Sequence, residues 1–78
     1  MQVLFFAQVK TAAGVAQVEL AGDNLDTDCF WQALADRLPM LDRYRGHVRL
    51  ARNGEFVGAD ARFQSGDEIA LIPPVSGG

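Results

Sequence analysis

Val3, Phe5, Ala7 and Val9 alternate with Leu4, Phe6, Gln8 and Lys10. One face of this run is wholly apolar and the other half-polar, which predicts a central strand over residues 3–9. Thr11 to Gly14 is small and turn-like. From Val15 to Leu20, Ala16, Val18 and Leu20 oppose Gln17 and Glu19, the pattern of a partner strand. The short link between the two runs predicts an antiparallel hairpin. Ala21 to Asp26 reads as a polar loop, and Thr27 as the N-cap of a helix with Asp28 in its first turn. Trp31, Leu34, Ala35 and Leu38 recur at helical spacing, with Phe30 flanking them. Pro39 ends that helix, because the residue before a proline is pushed out of the α region.

Met40 to Gly46 reads as a crossover with an extra turn. His47 to Arg52 then alternates and runs into Asn53-Gly54, a strong two-residue hairpin signal. Glu55 to Val57 returns as a short strand. Ser65-Gly66-Asp67 is a turn, and Glu68 to Ile72 is a last strand with Ile69 and Leu71 facing opposite to Ala70 and Ile72. The predicted order is β-β-α-β-β-β. One main helix on one face of a mixed sheet of four to five strands makes a two-layer α+β domain. The first and last strands are the most apolar, so they are expected side by side at the sheet centre, in the β-grasp (ubiquitin-like) arrangement.

Composition sharpens this outline. Seventy-eight residues make one domain near the small end of what folds without staples. The lone Cys29 excludes an internal disulfide and a multi-cysteine zinc site. With no disulfide and no basic leader before the apolar run at Met1 to Val9, a reducing, cytoplasmic setting is expected. No apolar run approaches the ~20 residues of a membrane span, so no membrane partner is expected. The net charge is −3 and Lys10 is the only lysine, which argues against a nucleic-acid surface.

The chain ends Ile72-Pro73-Pro74-Val75-Ser76-Gly77-Gly78. Pro73 and Pro74 fix φ and remove two donors, favouring an extended path. Gly77 and Gly78 lack a Cβ and fit a slot too narrow for other residues. Six extended residues reach roughly 20 Å, enough to carry a carboxylate deep into another protein. The chain thus divides into a folded domain over 1–72 and a tail over 73–78.

Val3-Leu4-Phe5-Phe6-Ala7-Gln8-Val9-Lys10, the Asn53-Gly54 turn, the Gly66-Asp67-Glu68 turn and the closing Pro73-Pro74-Val75-Ser76-Gly77-Gly78 together resemble the MoaD/ThiS sulfur carriers, most closely the molybdopterin synthase branch. The resemblance covers the whole chain in order. It implies a carrier that is not an enzyme alone and works as the sulfur-donating subunit of a heterotetramer. Its implied partners are the MoaE-like large catalytic subunit, a MoeB-like adenylating enzyme and a sulfur donor system. No permanently bound cofactor or metal is implied. ATP is consumed by the activating enzyme, and Gly78 is carried first as glycyl-adenylate and then as 1-thioglycine. The sulfur then goes to a pterin precursor, building the dithiolene that holds molybdenum. Pro73, Pro74, Val75, Ser76 and Gly77 would insert with Gly78, and Phe6 and Ile72 would contact partners. Arg52 replaces an apolar residue common in the family, and the family's leucine near Phe63 is missing.

The chemistry suits these residues. A free α-carboxylate, with a pKa of about 3.5, is ionised at neutral pH and a poor electrophile. Exchanging its oxygen for sulfur needs a leaving group, which a mixed anhydride with AMP supplies. Val75 and Ile72 could seat the tail on apolar walls, and the prolines reduce the entropy lost on insertion.

Other residues draw plainer readings. Phe6 on the half-polar face is either an interaction anchor or core. Cys29 reads as a small buried hydrophobe rather than a sulfur relay. His47 reads as a strand-edge residue, and Trp31 as core. Asp26, Asp28 and Asp36 read as loop, cap and solvated helix face. Asp67 and Glu68 shape the final turn or steer a basic partner. Alternative functions are a ThiS-like thiazole donor, a tRNA-thiolation or protein-modifying carrier, and a ubiquitin-like adaptor with an inert tail.

Overall fold

The computed structural model describes residues 1–74. Strand β1 (Gln2–Phe5) leads into helix α1 (Ala7–Ala13), and β2 (Gln17–Glu19) returns antiparallel beside β1. After β3 (Leu25–Asp26) come helix α2 (Thr27–Arg37) and a 3₁₀ helix (Pro39–Tyr44). Strands β4 (Arg49–Arg52), β5 (Glu55–Phe56), β6 (Arg62–Phe63) and β7 (Glu68–Ile72) complete the described chain.

The main sheet has the order β2-β1-β7-β4-β5. β1 and β7 lie parallel at its centre, Val3 opposite Ile69 and Phe5 opposite Leu71. β4 runs antiparallel to β7, with Leu50 opposite Leu71. The expected central pair is therefore present, and its parallel hand is possible because the intervening chain forms the long crossover. This is a β-grasp α+β domain.

The element order differs from the expected one in two places. The opening strand stops at Phe5 rather than Val9, and residues 7–13 form α1 instead of strand and turn. Phe6 is still extended, at φ −131° and ψ 153°; the chain swings at Ala7, φ 51°, and Gly14 closes the helix in the left-handed region at φ 79°. Val9 is fully buried, like Phe5 four residues earlier. Period two and an i, i+4 helical step both place Val9 on the core side, so alternation could not separate them. The supposed loop before α2 holds β3, which pairs with β6 in a small second sheet, Leu25 opposite Phe63.

The N-cap of α2 is Asp26, not Thr27. Asp26 Oδ1 accepts the Cys29 backbone N–H at 2.8 Å. Thr27 instead donates its hydroxyl to the Ala59 carbonyl at 3.0 Å, tying the helix start to the loop after β5. Phe30, Trp31 and Leu34 are buried, so Phe30 is at the centre of the apolar stripe rather than its flank. Its ring lies 4.9 Å from that of Phe63 and 6.0 Å from that of Trp31. The helix stops before Pro39, which begins the 3₁₀ turn that buries Leu41.

Val3, Phe5, Ile69, Leu71 and Leu50 from the sheet meet these helical residues and Phe63 in one core. Burying each large apolar side chain contributes about 1.5–3 kcal/mol. The core thus packs one face of the main sheet and leaves the other face without a covering helix. Among the described residues no helix is long and apolar enough to cross a membrane.

Candidate functional site: the open sheet face and the tail exit

Residues in register across a sheet point to the same face. Gln17, Leu4, Ala70, Ala51 and Phe56 therefore form one row across the open face. Two residues further toward the end of β7, Ile72 sits opposite Arg49. Two residues the other way lie Glu19, Gln2 and Glu68. The face grades from acidic, through a row that is apolar except for Gln17 at its edge, to an arginine and an isoleucine where the chain leaves the sheet.

At that exit Ile72 is half-buried, Pro73 buried and Pro74 exposed. All three line an open groove with His47, Arg49 and Phe56. The Arg49 guanidinium carbon lies 3.8 Å over the centre of the Phe56 ring, a cation–π contact. Phe56 is 53% exposed. Phe56 and Arg49 were not singled out from the sequence, although the signal was there. A two-residue Asn53-Gly54 turn, with φ of 52° and 88°, sets Arg52 opposite Glu55 and hence Ala51 opposite Phe56.

The two readings of Phe6 are decided for exposure: the side chain is 46% exposed. It stands at the N-cap of α1, beyond the strand, and lines a separate hollow with Leu4, Lys10 and Gln17. Because β1 and β7 are parallel and Phe5 pairs with Leu71, Phe6 and Ile72 leave the same end of the sheet. Val75, Ser76, Gly77 and Gly78 lie outside the described residues.

Cys29 is exposed, not a buried hydrophobe. Its thiol hydrogen-bonds the Asp26 carboxylate, whose negative charge also faces it, and both push its pKa up. The same contacts, the Cys29 backbone N–H first, hold the Asp26 carboxyl below the usual range. A helix N-terminus would favour a thiolate, but here the capping carboxylate wins. His47 lies in the turn ahead of β4 rather than on a strand edge, its N–H bonded to the Tyr44 carbonyl at 2.8 Å. Trp31 is core.

Asp67 shapes the last turn. It accepts the Gln64 backbone N–H at 2.7 Å and the Asn53 side-chain amide at 3.0 Å, and these bonds, the backbone one first, lower its pKa. Arg52 donates to the Arg62 carbonyl at 2.5 Å, and Phe63 is fully buried. These two positions serve internal ties between β4, β6 and the core.

The ThiS family model matches residues 3–78, and the chain belongs to the ThiS family. It is 36% identical over 80 residues to the molybdopterin synthase sulfur carrier subunit of Arabidopsis thaliana, covering 100% of this chain and 82% of that protein. To the subunit of the same name from Escherichia coli strain K12 it is 35% identical over 83 residues, covering 100% and 99%. The crystal structure of SAMP1 from Haloferax volcanii superposes with a TM-score of 0.85 at 33% identity, covering 100% of this chain and 98% of that one.

Proposed function

We propose that this chain is a cytoplasmic sulfur carrier for molybdopterin synthesis, the sulfur-donating subunit of a synthase whose large subunit does the catalysis. The observation that carries this reading is the full-length likeness to proteins named molybdopterin synthase sulfur carrier subunit. The geometry supports it: β7 is held on both sides by β1 and β4, and the chain that follows it reaches solvent at Pro74 beside an open, partly apolar face.

In this reading Gly78 is the reacting residue. Its carboxylate attacks the α-phosphorus of ATP in an activating enzyme, pyrophosphate leaves, and a glycyl-adenylate forms. Sulfur at the sulfide level, from a donor system, then bonds to the glycyl carbon as AMP leaves, giving the thiocarboxylate. Pro73 to Gly77 thread that group into the large subunit, where the sulfur bonds to the pterin precursor and water cleaves the acyl C–S bond, restoring the Gly78 carboxylate. Phe6 and Ile72 contact the partners at the base of the tail. The raised pKa of Cys29 keeps its thiol protonated at neutral pH, so it is poorly suited to relaying sulfur.

Intact-mass measurement tests this directly. With activating enzyme, ATP and a sulfur source, the wild-type chain and Cys29→Ser gain the mass of one oxygen-to-sulfur exchange. Gly78→Ala stays folded and gains nothing. A Gly78→Ala chain that gained the same mass would refute the mechanism.

A second reading is favoured by the match to SAMP1, since the Haloferax volcanii relative at 35% identity is named small archaeal modifier protein 1. Here a lysine amine would attack the same adenylate and AMP would leave, joining Gly78 to another protein through an amide. Gly78-dependent conjugates in a cell extract that survive thiol treatment would favour this reading, and thiocarboxylate without conjugates the first.

A further inference from the structure

The Arg49–Phe56 pair has a geometry that internal packing does not use up. The guanidinium carbon sits 3.8 Å over the Phe56 ring, and a guanidinium held over a ring by one face keeps its N–H donors, which lie in its own plane, open at the edge. Arg37, Arg45, Arg52 and Arg62 spend side-chain donors on internal acceptors; Arg43, 5.6 Å from the Tyr44 ring centre, does not, but it is not among the residues lining the exit groove, whereas Arg49 is. Among the described residues Arg49 makes no such bond and no salt bridge. It is a cation pre-oriented by an aromatic ring, with its donors unspent, opposite the last residue before the tail.

The surrounding charge gives this cation a meaning. The chain is acidic overall, and Glu19 and Glu68 stand at the far end of the same face. A partner bearing a carboxylate near the exit is attracted in one orientation and repelled in the reverse one. Arg49 cannot attend the reacting group of an inserted tail: Gly78 is six residues beyond Ile72, roughly 20 Å when extended.

We propose that Arg49 is a positioning residue that pairs in its guanidinium plane with a carboxylate of the activating enzyme, at the mouth of the slot that takes the tail there, while Phe56 enters an apolar pocket beside that carboxylate. This rests on the carrier reading above and adds the partner chemistry that orients the carrier. Arg49 supplies two parallel N–H donors, a bidentate match to a carboxylate that lysine does not reproduce.

The test uses the full chain with the activating enzyme of the same organism and follows ATP–pyrophosphate exchange. Arg49→Ala raises KM for the carrier about tenfold, as expected for one charge-assisted pair, and leaves kcat unchanged. Arg49→Glu raises KM further, and Arg49→Lys falls between wild type and Arg49→Ala. Added salt raises KM for wild type much more steeply than for Arg49→Ala, a signature that a merely structural residue lacks. Phe56→Ala raises KM without altering the salt slope. The proposal is overturned if Arg49→Glu leaves KM within about twofold of wild type, or if the salt slopes of wild type and Arg49→Ala coincide. Absence of exchange with the wild-type chain overturns the carrier reading itself, so the two failures are distinguishable.

Discussion

At Asp67 one carboxylate closes the final turn and joins it to the Asn53-Gly54 hairpin. Asn53 completes the exchange, its side-chain oxygen accepting the Glu68 N–H at 2.9 Å while its backbone N–H donates to the Glu68 carbonyl at 2.8 Å. Bonds to the ionised form hold the Asp67 carboxyl below the range it has in the unfolded chain. The folded state therefore binds fewer protons at this group than the unfolded state. Its contribution to stability is present above the ordinary carboxylate pKa and is lost as pH falls through the depressed one. Asp67→Ala is expected to lower the urea midpoint at pH 7, and the gap to wild type should close on acidification below the usual carboxylate range. Asp26 also has a lowered pKa, but it is present in both proteins and cancels. A gap that stays constant with pH would locate the effect in packing. Both turns were legible as sequence, Asn-Gly and Gly-Asp each by its own chemistry. The bond between their side chains was not, because no local pattern encodes a contact fourteen residues apart.

Helix α1 shows why an element can hide inside a convincing strand. Residues 3–9 alternate well, and only the chain direction at Ala7 separates the two conformations. Ala7 takes φ 51°, where an L-residue meets its own carbonyl and glycine does not. Within a helix Ala→Gly ordinarily costs about 1 kcal/mol. At Ala7 the left-handed φ offsets that cost, so Ala7→Gly is expected to leave stability unchanged or raise it. Gly14→Ala should do the reverse, losing about 1 kcal/mol. A Cβ at Gly14 meets nothing within 4 Å, so that loss would be backbone strain alone. Equilibrium urea denaturation of both variants decides this, and a loss of about 1 kcal/mol in Ala7→Gly would show that ordinary helix propensity governs the position. The α2 stripe, by contrast, was readable in outline from Trp31, Leu34 and Leu38. Its cap was misplaced by one residue because Asp26 and Thr27 are both good caps, and the demand of the Ala59 carbonyl for a donor decides between them only in three dimensions.

For the whole molecule, β7 is the strand on which the sheet depends. It separates β1 from β4, so the two halves of the sheet, β2-β1 and β4-β5, meet only through it. Its composition made this legible: Ile69 and Leu71 are fully buried and the strand is as apolar as β1, as a strand with neighbours on both edges requires. The open face was less legible, since which side α2 covers follows from packing and not from alternation. Loss of β7 would expose the inner faces of β1 and β4 and strand their backbone donors and acceptors at new edges. A chain ending at Gln64 is therefore expected not to fold, giving no cooperative thermal transition. A chain ending at Pro74 keeps every described contact, including the buried Pro73. Its thermal midpoint should lie within a few degrees of wild type, a shift that corresponds to about 1 kcal/mol or less for a domain of this size. It should nevertheless support no ATP–pyrophosphate exchange with the activating enzyme, because Gly78 is gone. If the Pro74 chain melts far below wild type, residues 75–78 contribute to the fold, and the division into a domain over 1–72 and a tail over 73–78 fails. If it melts with wild type yet still supports exchange, the reacting carboxylate is not at Gly78.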